Sequence, residues 1–411
     1  MRANPEALDA ADTIAAVLTD PRTAWATAPP GGRAWPQSLA GGAAGVALLH
    51  IERARSGRGD WATAHAWLSS AAAGNLTAAA NAGLYMGAPA LAFVLNAAAN
   101  SSTRYQRALE KLDVATITVT RRRLADAHVR IDQGDRPAMK EFDLIRGLAG
   151  LGIYHLTRHP HHEITRDVLA YLVRLTEPLP DRGLPPWWTD LSPNGTPHPD
   201  FPSGHGNFGL SHGIGSVLAL LSFTLLRGLA VTGTRDAVER ICAWTDQWRQ
   251  HDDTGPWWPG FVTLDQVQQR RVDPRLRPRP SWCYGIAGTA RAQQLAGQAL
   301  GDTARQRVAE TAMLTTLRDP AQLDLLPDIG LCHGKAGLLQ AAWRMAADAR
   351  TPGMAAGIPR LAARLTGQIT QPSALTDPEL LDGAAGAALA LHTLGTATAP
   401  TTGWDAILLL G

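Results

Sequence analysis

Cys332 and His333 stand side by side in Leu-Cys-His-Gly, and Cys283 stands in Trp-Cys-Tyr-Gly. Each of these cysteines lies two residues ahead of a glycine. Two thiolates and an imidazole, once brought together, form a three-ligand site that suits zinc better than magnesium or calcium. Such a site leaves a fourth position open to water or substrate. The third cysteine, Cys242, falls mid-helix in Arg-Ile-Cys-Ala-Trp and reads as a small buried hydrophobe. An odd number of cysteines without an export signal argues against disulfides. His212, in Ser-His-Gly-Ile-Gly, is a candidate proton carrier. Asp143, in Glu-Phe-Asp-Leu-Ile-Arg-Gly, could cap a helix or hold a histidine or arginine in place. Arg279 and Tyr284 flank Cys283 and could support a thiolate site or be ordinary loop residues.

Residues so far apart in the chain need a scaffold that gathers them, and an internal repeat supplies one. A Gly-x-x-Gly pattern followed by an apolar helix begins at Gly42, Gly147, Gly285, Gly334 and Gly383. Degenerate copies begin at Gly87, with Ala90 in fourth place, and at Gly213, with Ser216 there. The segments that follow are apolar on nearly every face, as in residues 217–226, which implies buried helices. Amphipathic helices lie between them: Val168, Leu172 and Leu175 share one face, a second helix covers about 235–249, and a third starts at the N-cap Asp302. Few strands are evident. The expected fold is therefore all-α: a single α/α toroid over residues 1–411, with seven inner and seven outer helices. Residues just ahead of the glycines must then meet at one end of the axis. That end collects Asp143, His212, Cys283, Cys332 and His333.

Two connections, about 178–209 and 251–282, are long and Pro-rich and carry Trp187-Trp188 and Trp257-Trp258. Loops of this length are functional or disordered as a rule, and the tryptophans favour ordered lids over the mouth. Substrate contact and plain packing are both open for them. His155, His159, His161, His162 and His392 read as surface or packing residues, and His205 receives no role. Lys+Arg 38 against Asp+Glu 36 leaves no electrostatic footprint for nucleic acid. The N-terminal segment reads as an amphipathic helix, and no apolar run is long enough to span a bilayer. A soluble cytoplasmic protein is expected.

Ser-His-Gly-Ile-Gly, Trp-Cys-Tyr-Gly and Leu-Cys-His-Gly, in that order on a sevenfold glycine background, resemble the lanthionine synthetase C-like (LanC) family over essentially the whole chain. The resemblance implies an α/α toroid with one zinc at its mouth, held by Cys283, Cys332 and His333. It implies catalytic roles for Asp143, His212, Arg279 and Tyr284. The implied activity adds cysteine thiols of a precursor peptide to dehydroalanine or dehydrobutyrine, closing (methyl)lanthionine rings. A dehydratase is then an implied partner. No dehydratase- or kinase-like region precedes the toroid, so the resemblance is to a stand-alone bacterial cyclase. The interval containing Ile-Thr-Val-Thr-Arg-Arg-Arg is too short for the extra domain that some bacterial members carry there. Two rival readings are a prenyltransferase-like α/α-toroid zinc enzyme and a non-catalytic zinc-containing scaffold for peptide or glutathione.

Overall fold

The apolar segments after the glycine pairs are helices buried almost all the way round. Between 214 and 226, for example, eleven residues are buried. The computed structural model describes residues 2–26, 35–100, 103–179 and 183–411. Its principal helices, in chain order, are α1 (Pro5–Val17), α2 (Ala43–Arg55), α3 (Trp61–Ala71), α4 (Ala88–Ala99) and α5 (Gln106–Asp132). There follow α6 (Leu148–Arg158), α7 (Glu163–Arg174), α8 (Ile214–Leu226), α9 (Thr234–Gln247) and α10 (Ile286–Leu300). The last four are α11 (Thr303–Arg318), α12 (Lys335–Asp348), α13 (Ile358–Ile369) and α14 (Ala384–Thr396).

The even-numbered helices form the inner ring of an α/α toroid, each packed on its two even neighbours, with α14 returning to α2. The odd-numbered helices form the outer ring. These are two-faced: in α7, Ile164, Val168, Leu169 and Leu172 are buried while Arg166 and Asp167 are exposed. Several carry side-chain N-caps, including Asp60 on α3 and the expected Asp302 on α11. The stretch between α4 and α6 is filled by one long outer helix, α5.

Ring closure has a feature that the linear repeat hides. The outer partner of α14, the seventh inner helix, is α1, from the opposite end of the chain. The two approach so closely that a Cβ on Gly395 would lie 2.8 Å from the Cβ of Leu8, and the Asn4 amide donates to the Gly395 carbonyl over 3.2 Å. The lumen is filled by residues 404–410. Trp404, Ile407, Leu408, Leu409 and Leu410 are fully buried. Their carbonyls accept from Tyr85 Oη (to Ile407, 2.7 Å), Trp282 Nε1 (to Leu408, 2.9 Å) and Arg291 Nε (to Leu410, 2.9 Å). Asp405 is locked by Arg344 and Gln340 of α12.

Four three-residue strands occur in the long connections. β1 (His205–Asn207) pairs antiparallel with β4 (Phe261–Thr263), and β2 (Gln250–Asp252) with β3 (Gly255–Trp257). The first ribbon ties the two long loops together. The paired tryptophans pack rather than wait for substrate: Trp187, Trp188, Trp257 and Trp258 are all buried, and Trp188 Nε1 donates to the Ser203 carbonyl.

Gly395 and Gly367 both lie in helices but in opposite surroundings, since a Cβ at Gly367 on α13 meets nothing within 4 Å. Gly395→Ala should destabilise the protein by about 1–3 kcal/mol through overpacking at the α1–α14 seam. Gly367→Ala should stabilise it by about 0.5–1 kcal/mol, the helix cost of glycine. Denaturant unfolding of both variants reads the two signs, and equal shifts would refute a tight seam.

Candidate active site and metal centre

The turn before each inner helix is folded back so tightly that side chains are excluded. A Cβ on Gly45, Gly150, Gly288, Gly337 or Gly386 would come within 1.9–2.2 Å of the carbonyl oxygen six residues upstream, from Leu39, Leu144, Trp282, Leu331 or Leu380 respectively. At the first glycine the backbone is extended in six of the seven repeats, so that close approach and not positive φ selects glycine there; Gly87 of repeat two, at φ 76°, is the exception. Where Ser216 replaces the second glycine, the close approach falls on Gly215 instead.

Among the described residues, six of the seven joints between successive folded turns carry a backbone hydrogen bond. Leu39 donates to Tyr85, Leu144 to Ser211, Leu210 to Cys283, Cys283 to Cys332, Cys332 to Leu381, and Leu381 to Ala40. This girdle fixes the heights at which functional side chains enter the mouth. The Cys283 amide donates to the Cys332 carbonyl over 3.2 Å, so the two cysteine backbones are locked together.

The ligand atoms of Cys283, Cys332 and His333 lie within 4.8 Å of one another. Tetrahedral zinc, with bonds of about 2.0–2.3 Å, needs ligand atoms roughly 3.4–3.8 Å apart, so small side-chain adjustments satisfy it. The donor set therefore fits zinc. The two thiols act on each other, so that one loses its proton more readily and the other more reluctantly. Cys283 is the more acidic, brought down to about 6 first by the Cys332 hydrogen bond, then by Ser281 and by the charges of His333 and Arg279. The Cys332 thiol is pushed up by the same coupling and by burial. Cys242, far from the mouth, is pushed up to about 12 by burial, as befits an inert thiol.

Beside this trio lies an acid–base pair. His212 Nδ1 is 2.7 Å from Asp143 Oδ2. Asp143 is fully buried, and its other oxygen accepts from the Arg146 amide at 2.6 Å and the Gly147 amide at 2.7 Å. Of the two sequence readings of Asp143, the holding of a histidine matches this geometry; its other oxygen braces the turn ahead of α6 rather than capping the helix, whose N-cap is Gly147 without a side-chain bond. A carboxylate only accepts, so Nδ1 carries the proton and Nε2 is left to exchange one at the mouth. The His212 side chain is 24% exposed, enough to reach a bound ligand. Its ring centroid is 6.3 Å from that of Tyr284, which follows Cys283 in the chain. Burial pushes the Tyr284 phenol up to about 12 against the pull of Asn207. Arg279 is exposed, and its charge acts on both thiols.

Three further residues shape the site. His333 sits between two carboxylates, with Nε2 3.6 Å from Asp328 and Nδ1 3.5 Å from Asp382. Asn207 Oδ1 accepts from the Gly209 amide at 2.9 Å and pins the turn that carries His212. Counting back from the glycines would have found them. Asn207, Arg279 and Asp328 each stand six residues ahead of their first glycine, and Asp382 stands one ahead, as His212, Tyr284 and His333 do. His205, unassigned from sequence, is wholly buried and bonded to the Leu191 carbonyl, a packing role.

Three comparisons agree with this architecture. The structure of nisin cyclase superposes over 97% of this chain and 96% of its own, with a TM-score of 0.77 at 18% sequence identity. Nisin biosynthesis protein NisC of Lactococcus lactis subsp. lactis is 20% identical over 265 residues, which are 62% of this chain; the match spans 60% of that relative's length. The family model described as lanthionine synthetase C-like protein matches residues 33–409. With the glycine-gated toroid and its mouth already in place, that match makes the chain a member of the lanthionine synthetase C-like family.

Proposed function

We propose that this toroid, acting as one unit, is a zinc-dependent peptide cyclase. It adds cysteine thiols of a dehydrated precursor peptide to dehydroalanine or dehydrobutyrine, forming lanthionine and methyllanthionine. The observation that carries the reading is the pairing of a zinc-competent Cys283/Cys332/His333 set with an Asp143-held imidazole beside it. Zinc, when bound, would hold a substrate thiol as thiolate at neutral pH. The sulfur then bonds to the β-carbon of the dehydro residue while the π pair moves toward the carbonyl as an enolate. His212 Nε2 delivers a proton to the α-carbon, and Asp143 keeps the ring oriented and stabilises its protonated form. Arg279 supplies positive charge where the enolate develops. Tyr284, held protonated by burial, lines the approach between Cys283 and His212.

An acid–base pair has no purpose in a passive scaffold, which favours the enzyme. A prenyltransferase-like site would take an aspartate among its ligands, whereas both nearby carboxylates here back His333. The free thiols suit a reducing compartment, so we place the enzyme in the cytoplasm, with a dehydratase as its supplier. No helix among the described residues is long and apolar enough to cross a membrane.

Elemental analysis should find about one zinc per chain, lost on Cys283→Ala, Cys332→Ala or His333→Ala; retention in all three would end the metal assignment. Whichever nitrogen of His333 ligates, the other faces a carboxylate. Asp328→Asn or Asp382→Asn should accordingly weaken zinc about 10–100-fold in chelator competition. Wild-type affinity in both would reduce these aspartates to neighbours.

His212→Asn and Asp143→Asn should keep zinc yet slow ring closure, by about 10²–10⁴-fold for His212. The assay follows a synthetic peptide bearing one dehydroalanine and one cysteine, with alkylation counting residual thiols. Chiral analysis of the hydrolysed product should show mixed α-carbon configuration with His212→Asn. Wild-type rate and stereochemistry there would leave His212 a structural residue.

A further inference from the structure

The backbone girdle around the mouth is interrupted between repeats two and three. Among the described residues, six joints carry a backbone hydrogen bond from one turn to the next, and this joint has none. A side chain spans it instead. Arg123, from outer helix α5, donates through Nη1 to the Arg146 carbonyl and through Nη2 to the Ala80 carbonyl at 2.7 Å.

The open joint leaves a cavity of about 630 Å³, bounded by Ala80, Asn81, Arg123, Asp126, Lys140 and Arg146, with Glu141 at its edge. Its charges do not cancel. Glu141 is already consumed: Arg130 Nε and Nη2 both bond it at 2.8 Å, and Tyr171 Oη donates at 2.7 Å. Arg123 donates to neutral carbonyls, and among the described residues neither Lys140 nor Arg146 has a carboxylate within ion-pair reach. Three cations therefore face one uncommitted carboxylate, Asp126. Repeats six and seven, on the far side of the ring, are opposite in sign, with Asp328, Asp377, Glu379 and Asp382 at the corresponding turns.

The cavity also touches the chemistry. Its wall residue Arg146 donates its amide to Asp143, the carboxylate that holds His212. A chain lying across the mouth with its reacting atoms near His212 would pass this cavity within a few residues.

Building on the cyclase reading, we propose that this cavity is a carboxylate-binding subsite for the substrate peptide. Arg123, Lys140 and Arg146 would bind an acidic side chain or the C-terminal carboxylate and so set the direction in which the peptide crosses the zinc. Lys140 and Arg146 act as the charged jaws. Arg123 is the floor, already immobilised by its two carbonyl bonds, so little entropy is lost when an anion docks.

Three synthetic peptides test this, each with one dehydroalanine and one cysteine. The first has an aspartate and an amidated C-terminus, the second no acid and a free C-terminus, and the third is neutral and amidated. Binding is read by fluorescence anisotropy on serine-for-cysteine versions, and ring closure by KM on the reactive ones. Wild type should prefer one or both carboxylate peptides about 10-fold over the neutral one, with the preference shrinking in high salt. Which one it prefers identifies the carboxylate's source. Lys140→Ala and Arg146→Ala should each shrink the ratio, Arg146→Glu should reverse it, and Arg146→Lys should restore most of it. Zinc content and circular dichroism confirm that each variant is folded. No carboxylate preference in wild type, or a preference untouched in the folded variants, overturns the subsite. Cyclisation of the neutral peptide without any preference would leave the cyclase reading standing alone. Carboxylate preference in anisotropy without ring closure of any peptide would do the reverse.

Discussion

The hydrogen bond from one mouth turn to the next is the interaction on which the site depends. Repeats three to six each bring candidate side chains to the mouth in the turn ahead of the inner helix, and only the four turns together make the site. What brings a thiol from repeat five against a thiol and an imidazole from repeat six is the Cys283 amide donating to the Cys332 carbonyl. The same pattern, from Leu210 to Cys283 and from Leu144 to Ser211, sets Asp143 and His212 beside them. These bonds require the turns to lie low on their helices, and that in turn requires a hydrogen atom where any side chain would strike the carbonyl six residues back. The glycines do not bend the chain; they let it approach itself.

That causal chain explains what could be read in advance. The offset of Cys283 and Cys332 from their glycines, with His333 beside the second, was legible because close approach leaves a compositional mark that recurs at every repeat. Helix types were legible from periodicity, since α8 is apolar all round and α7 is not. Asp328 and Asp382 were passed over because carboxylates are common and their partner, His333, lies five residues away from the first and in a different turn from the second. The seating of residues 404–410 was hidden for another reason: Ala-Ile-Leu-Leu-Leu-Gly has no period, and only a closed ring creates a lumen for it to fill. The strands were missed because three residues are too few for alternation to register. The setting of the paired tryptophans in long loops left substrate contact and packing both open, and the fold buries all four.

Electrostatically, the mouth keeps its charges in pairs at the reacting end. Asp143 divides its oxygens between turn amides and an imidazole, so a buried carboxylate is satisfied without a cation. His333 stands between two carboxylates, which hold the ring in place. Trp282 connects this polar rim to the interior, since its indole bonds the Leu408 carbonyl while the next residue is Cys283. The filling of the lumen and the position of the Cys283 thiol are thereby mechanically linked.

The pairing of α1 with α14 has a consequence in time. On the ribosome α1 is made first, and its partner follows only after the twelve helices between them. At about 5–20 residues per second, the apolar face of α1, carrying Ala7, Ala11 and Ile14, waits tens of seconds for something to cover it. Every other hairpin can form as it emerges, but the seam cannot. The last event in folding is therefore a long-range closure, the slowest kind of contact to make. Until it happens the ring is open at the joint between repeats seven and one, one repeat away from the Cys332–His333 turn. An incomplete or stalled chain would thus hold Cys283, Cys332 and His333 in a mouth that has not yet been drawn shut.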